Sequence, residues 1–203
     1  MLPSSSSACQ PFDFSAHMER LVAHVVGNCP ELSHVKLEHM LVCVSRCRHG
    51  GRRGVHARLV PLRFQEGATT RHLGERVYRI PEFTYQGREI LYLVYFYLPR
   101  FLESPQVEDK LATVFHELYH VHPECNGDLR RFPGRAYAHG PSRRRYHERA
   151  RAMARRYLAA ADGDRPWWFL DYDFTTLESR VGPIIGRHVG LPHVHCVTAT
   201  GRP

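Results

Sequence analysis

The amino-acid sequence predicts an α+β fold in which a small mixed sheet packs on one helix carrying an HExxH motif, with further helices at its flanks. Three observations carry this expectation. The run from Ile90 to Leu98 is apolar on both faces and lies between Gly87 and Pro99, as a central or well-covered strand requires. Apolar residues recur at three- and four-residue steps over 12–26, 104–121 and 142–160, the spacing of helices with one buried face. Within the second of these segments stands His116-Glu117-Leu118-Tyr119-His120, the HExxH itself.

The chain has 203 residues, enough for one domain to bury a core without disulfide staples. Residues 1–11 are rich in Ser and Pro and are expected to be disordered, leaving 12–203 as a single domain. The first dozen residues lack a basic stretch followed by an apolar one, and the longest apolar run, Ile90 to Leu98, is too short to span a bilayer. No membrane partner is therefore expected. Cys9, Cys29, Cys43, Cys47, Cys125 and Cys196 follow no disulfide or CxxC pattern, which suits reduced thiols in a cytoplasmic protein. The formal net charge is +8, and of 28 basic residues only Lys36 and Lys110 are lysines. Such a bias points either to an acidic partner such as nucleic acid or to a genome rich in G and C.

Taken in order, Phe14, Met18, Leu21, Val22 and Val25 form the inward stripe of a first helix that ends near Gly27-Asn28. Met40 to Ser45 and Val55 to Phe64 are β-prone runs, read as a hairpin with a basic tip at 46–54. A strand at Val77 to Ile80 precedes the apolar strand. The next helix runs from Ser104 to Val121, with Ser104 as N-cap, Pro105 in the first turn and Glu108 and Asp109 near the positive end of the helix dipole. His122-Pro123 stops it. A loop with Gly127, Pro133 and Gly134 leads to Tyr137-Ala138-His139-Gly140, and a helix from Ser142 to about Ala160 buries Tyr146, Ala150, Met153, Tyr157 and Leu158. Trp167, Trp168, Phe169, Leu170, Ile184 and Ile185 give the tail enough apolar surface to pack back on the core, and His193 to Cys196 receives no role.

On a helix, the four-residue step puts His116 and His120 on one face, so both imidazoles can bind one Zn²⁺ while Glu117 reaches a water beside it. At about 100° per residue, His120 falls at about 40° and Glu117 at about 100° from His116, whereas Val107, Leu111, Val114, Phe115, Leu118 and Val121 fall between roughly 140° and 260°. The metal face and the core face are separate.

A catalytic zinc takes three protein ligands and leaves one position open. The continuation HExxHxxGxxH fails here, because Pro123 and Asn126 stand where Gly and the third His would be. Glu148 is the nearby carboxylate on a later helix, flanked by Arg149 and Arg151 as on a solvated face. His139 is the better candidate, since it stands in a His-Gly pair just before a helix that would hold its imidazole; Asp128 in the preceding loop is the competitor, as a ligand or as a partner of an imidazole N–H.

HExxH, a Gly-rich loop, then His-Gly and an amphipathic helix resemble the SprT-like zincins, and Gly127-Asp128-Leu129-Arg130-Arg131-Phe132 looks like the same element of the phage-type metallopeptidases. The resemblance covers about residues 76–160. Four positions after the third His, where SprT-like sequences often hold an aromatic, stands Arg143, and the first aromatic is Tyr146. What the resemblance implies is a zincin-like fold, Zn²⁺ held by His116, His120 and His139, Glu117 as the catalytic carboxylate, and a protein or peptide substrate extended along a sheet edge. Relatives that act on DNA-bound proteins make DNA a further expected partner of the Arg-rich region 130–156. Tyr137, Arg135 and Tyr146 are candidate second donors to an oxyanion. Two rivals remain: a structural zinc closed by Cys125 or the His193/Cys196 tail in a nucleic-acid-binding module, and a zinc hydrolase acting on a non-peptide amide.

Overall fold

The computed structural model describes residues 10–47, 54–134, 137–160 and 163–197, so the expected disordered tail lies largely outside the described residues, as does most of the basic tip at 46–54. Strand Tyr92–Leu98 is the centre of a three-stranded mixed sheet. Met40–Arg46 pairs with it in parallel on one side and Ala57–Pro61 antiparallel on the other. The position follows from burial. Tyr92, Leu93, Val94, Tyr95 and Phe96 are all buried, so both faces of this strand must be covered and both of its edges paired. The expected hairpin of the two earlier strands does not form. Met40, Leu41, Val42, Cys43 and Val44 are also buried in succession, and such a strand satisfies its backbone best against the other doubly buried one.

The two faces are covered differently. Met40, Val42, Val44, Leu59, Val94 and Phe96 join the main core with the helices, while Leu41, Cys43, Leu93 and Tyr95 form a smaller cluster under Ile80, Phe83, Tyr85 and Val189. Helix α1 (Phe14–Gly27) is capped by Asp13, whose carboxylate accepts from Ala16 N at 3.0 Å, and it buries the stripe read from the sequence. An antiparallel hairpin of Thr70–Leu73 and Arg76–Arg79 takes His195–Cys196 as a third strand.

Helix α2 spans Val107–Tyr119, shorter at its start than expected. Ser104 does not cap it: its hydroxyl lies 3.3 Å from His56 Nδ1, and Gln106 in extended backbone begins the helix without a side-chain cap. At the far end His120 is the C-cap residue, with helical φ and ψ, so the whole motif sits on the last turn. Its core face includes Leu111, Val114, Phe115 and Leu118. Lys110, also buried, donates to the carbonyls of Leu170 at 2.9 Å and Tyr172 at 2.7 Å and ties the tail to this helix. Trp167, Phe169 and Leu170 are buried, as the sequence led us to expect.

Helix α3 (Arg143–Ala160) packs against α2 through Tyr146, Ala150, Met153, Ala154 and Tyr157. Ser142 Oγ accepts from Arg145 N at 3.3 Å, a cap one residue before the helix. The pairs Arg151–Asp109 and Arg155–Glu108 show that α2 and α3 run antiparallel. No helix among the described residues is long and apolar enough to cross a membrane.

Candidate metal centre

The turn after α2 brings the third histidine to the first two. Val121 and Leu129 form an antiparallel bridge, His120 O accepts from Arg130 N at 2.7 Å, and Phe132 N donates to Tyr137 O at 2.8 Å, so the chain doubles back under the helix end. Gly127 makes this approach possible: its φ is +89°, and a Cβ there would lie 2.5 Å from Arg63 Cγ. Gly140, at φ +69°, then turns the chain from His139 into α3. Its His-Gly position just before a helix made His139 the better candidate in the sequence, and the tertiary fold brings it beside His116.

His116 Nε2 lies 3.2 Å from His120 Nε2 and 3.3 Å from His139 Nε2. These three residues form a group whose ligand atoms all lie within 4.8 Å of one another and could hold a metal ion. Tetrahedral zinc with Zn–N bonds of about 2.0–2.1 Å needs N···N separations of about 3.3–3.4 Å; the His116–His139 pair has this and the His116–His120 pair is about 0.1 Å short of it. The ionisation states suit it. Burial first, and then the neighbouring imidazoles, push His116 down to about 2 and His120 down to about 3, and burial with the nearby Arg143 lowers His139 as well. All three rings are thus neutral at pH 7, with lone pairs free for a cation.

In one respect the site departs from common zinc centres. The Nδ1 atoms of His116 and His120 are buried and have no hydrogen-bond partner among the described residues, whereas metal-binding imidazoles usually donate that N–H to a carboxylate or carbonyl. Ring packing holds them instead. Tyr146 stacks on His120 at 4.8 Å between centroids and 22° between planes, and His147 stacks on His116 at 4.6 Å and 19°. Tyr146 is buried and donates its hydroxyl to His116 O at 3.3 Å, so this hydroxyl is committed to the helix and is not aimed at substrate. We therefore expect Tyr146→Ala to cost about 3–5 kcal/mol of stability and to weaken zinc binding by about 10- to 100-fold, while Tyr146→Phe keeps the ring and stays close to wild type in both. Urea unfolding and competitive zinc titration read the two quantities; wild-type zinc affinity in Tyr146→Ala would remove the packing argument.

Asp128 is not part of the centre. Its carboxylate accepts from Glu66 N at 3.1 Å, Leu129 N at 2.7 Å, Arg131 Nε at 2.8 Å and Arg131 Nη2 at 2.9 Å, and no imidazole is among its partners. It is a buried staple for the return loop. Glu148 is exposed and paired with Arg144 at 2.7 Å. Cys125 accepts from Lys36 N at 3.4 Å, and Cys196 is exposed on the outer hairpin sheet; neither belongs to the metal-ligand group. Arg135 lies outside the described residues, and Tyr137 is exposed under the Arg131 guanidinium at 4.7 Å.

Glu117 is 7% exposed and points to the edge strand, where Leu59 N donates to its Oε2 at 2.7 Å. Burial pushes its carboxyl up to about 7, against the opposing pull of that hydrogen bond and of Arg58. The order of magnitudes explains the direction: burying a carboxylate costs several kcal/mol, and one N–H bond to a charged group returns only about 1.5–3 kcal/mol. His116 and Glu117 line a cleft of about 630 Å³. Its floor is the outer face of α2, one wall is residues 54–57 with Ser104 and Pro105, and the other is Arg143, His147 and Arg151 of α3. His147 is the cleft residue that sequence reading missed; its only signal was its place one position after Tyr146, on the face turned toward α2.

The Arg-rich region is largely committed within the fold. Arg131, Arg144, Arg151, Arg155 and Arg156 pair with Asp128, Glu148, Asp109, Glu108 and Glu31. Arg130 lies 4.3 Å over the Tyr119 ring, and Arg149 donates to the Tyr119 hydroxyl at 2.5 Å. Comparison of the chain with family models, with curated proteins and with solved structures returns no match.

Proposed function

We propose that this chain is a zinc-dependent peptidase of zincin-like architecture, with His116, His120 and His139 as zinc ligands and Glu117 as its proton-transfer group. The observation that carries the reading is a juxtaposition. A three-imidazole group, of which His116 lines the cleft, stands beside a buried carboxylate in the floor of that cleft, which runs past the start of an edge strand. Zinc, when bound there, polarises a carbonyl and lowers the pKa of water to about 7.

The remaining chemistry belongs to the chain. Glu117 accepts a proton from the attacking water and returns it to the leaving amine, a task suited to a carboxyl titrating near neutrality. Leu59 N–H holds one of its oxygens and leaves the other for that exchange. His147, facing the cleft beside His116, is placed to donate to the oxygen on which negative charge develops. Strand Ala57–Pro61 is paired on one side only, and in an antiparallel ladder alternate residues turn their backbone groups outward. Of the residues turned outward, Leu59 commits its N–H to Glu117 and Pro61 has none, so an extended peptide can pair with this edge at Ala57, which lines the cleft.

A structural zinc site draws less support, since such sites are closed by four protein ligands and the group here has three among the described residues. A DNA-binding surface over 130–156 is likewise weakened by the internal pairing of its arginines. The test is metal analysis of the purified chain together with digestion of an unfolded protein mixture, read by mass spectrometry, with zinc and with a chelator. About one zinc per chain and chelator-sensitive cleavage are expected. Cleavage that is equal in chelator, or a chain that takes up no zinc, would remove the reading.

A further inference from the structure

The charges that line the cleft do not balance evenly. Asp109 and Arg151 neutralise each other at 2.5 Å, and Glu117 is buried in the floor with its own backbone donor. Arg143 remains: it is exposed, it lines the cleft, and among the described residues it forms no ion pair. Its place in the helix is also locally unfavourable. The first turn of α3 carries no acidic residue, and Arg143, Arg144 and Arg145 stand together at the positive end of the helix dipole. Arg144 is relieved by Glu148, but Arg143 has no such partner among the described residues. A cation left without a counter-charge at the wall of a cleft is free to pair with a ligand's anion.

Geometry sets where that ligand group would sit. Arg143, His147 and Arg151 share one face of α3, and the antiparallel pairing puts His147 beside His116 and Arg151 beside Asp109. Arg143 lies one turn further along, about 6 Å from the level of His147. Glu117, one residue past His116, is about 1.5 Å nearer, so at about 3.3 Å per extended residue the offset is one to two residues along a peptide running beside α3.

We propose that Arg143 makes the cleft selective for acidic peptides by binding an Asp or Glu carboxylate one to two residues from the bond placed over Glu117. The guanidinium offers two parallel N–H groups to such a carboxylate. This inference rests on the peptidase reading and adds its substrate class.

The test uses the full chain loaded with zinc and quenched fluorescent peptides that differ only in Glu, Gln or Lys at the flanking positions. The Glu peptide is expected to exceed the Lys peptide in kcat/KM by about tenfold or more. Arg143→Ala should bring that ratio close to one, and Arg143→Glu should invert it. A second readout needs no turnover: fluorescence anisotropy of the same peptides on Glu117→Gln, with and without Arg143→Ala. Cleavage that ignores the flanking charge overturns the proposal and leaves the peptidase reading standing. Charge-selective binding that depends on Arg143, without cleavage by the wild type, supports the proposal and removes the peptidase reading. Arg143-dependent binding of a short DNA duplex with no binding of the peptides, or no binding of either, overturns it.

Discussion

Replacing Glu117 by Gln is expected to leave the zinc content and the fold intact while hydrolysis falls by about 10²- to 10⁴-fold, the range lost when a positioned general base is removed. The structural expectation comes from its surroundings. Gln keeps an oxygen that can accept from Leu59 N, now at 2.7 Å from the carboxylate. At 7% exposure the neutral amide avoids the burial penalty that raises the Glu carboxyl, so stability should hold or rise slightly. Alanine is a poorer probe, because it would leave the Leu59 N–H unsatisfied at about 1–3 kcal/mol. Zinc content, thermal unfolding and turnover on one cleaved peptide are the three measurements. Wild-type turnover in Glu117→Gln would show that this carboxylate moves no proton in the reaction, and loss of zinc would make it part of the metal site.

The second large effect separates His139 from Asp128. His139→Ala removes one corner of the three-imidazole group and should weaken zinc binding by orders of magnitude, with little cost to folding because the ring is only half-buried. Asp128→Ala should do the reverse. Its carboxylate satisfies two backbone N–H groups and the Arg131 guanidinium, and Arg131 is itself 29% exposed, so about 3 kcal/mol of stability is expected to go. At a temperature where the variant remains folded, its zinc affinity should approach wild type. Competitive zinc titration and urea unfolding on both variants read the crossing. If Asp128→Ala lost zinc while staying folded, the return loop would be more than a staple.

Much of the site was legible in the chain because it depends on local geometry. The four-residue step of a helix fixes His116 and His120 on one side of α2 whatever packs against the other, and the apolar stripe of that helix identified its buried side. The stripes of α1 and α3 and the doubly apolar strand Tyr92–Leu98 were readable for the same reason. Short-range reasoning failed where two partners competed. Ser104 has the chemistry of a cap, yet its hydroxyl meets His56, a residue 48 positions away. The runs 40–45 and 55–64 read as neighbours in a hairpin, but the strands they form, Met40–Arg46 and Ala57–Pro61, both pair with the strand between them in space, whose two buried faces demand two covered edges.

By itself, then, the sequence determined the α+β composition, the central strand, the histidine pair with Glu117 and the separation of metal face from core face, all properties of residues within a few turns of one another. The tertiary structure alone decided the rest. It set His139 Nε2 at 3.3 Å from His116 Nε2, and it fastened the Asp128 carboxylate to Glu66 N, 62 positions away in the chain, with no imidazole among its described partners. It stacked His147 on His116, set Leu59 N against Glu117 and left Arg143 in the cleft wall without an ion pair among the described residues. Those contacts join residues dozens of positions apart, and no spacing along a chain encodes which distant side chain will occupy the space beside a given ring.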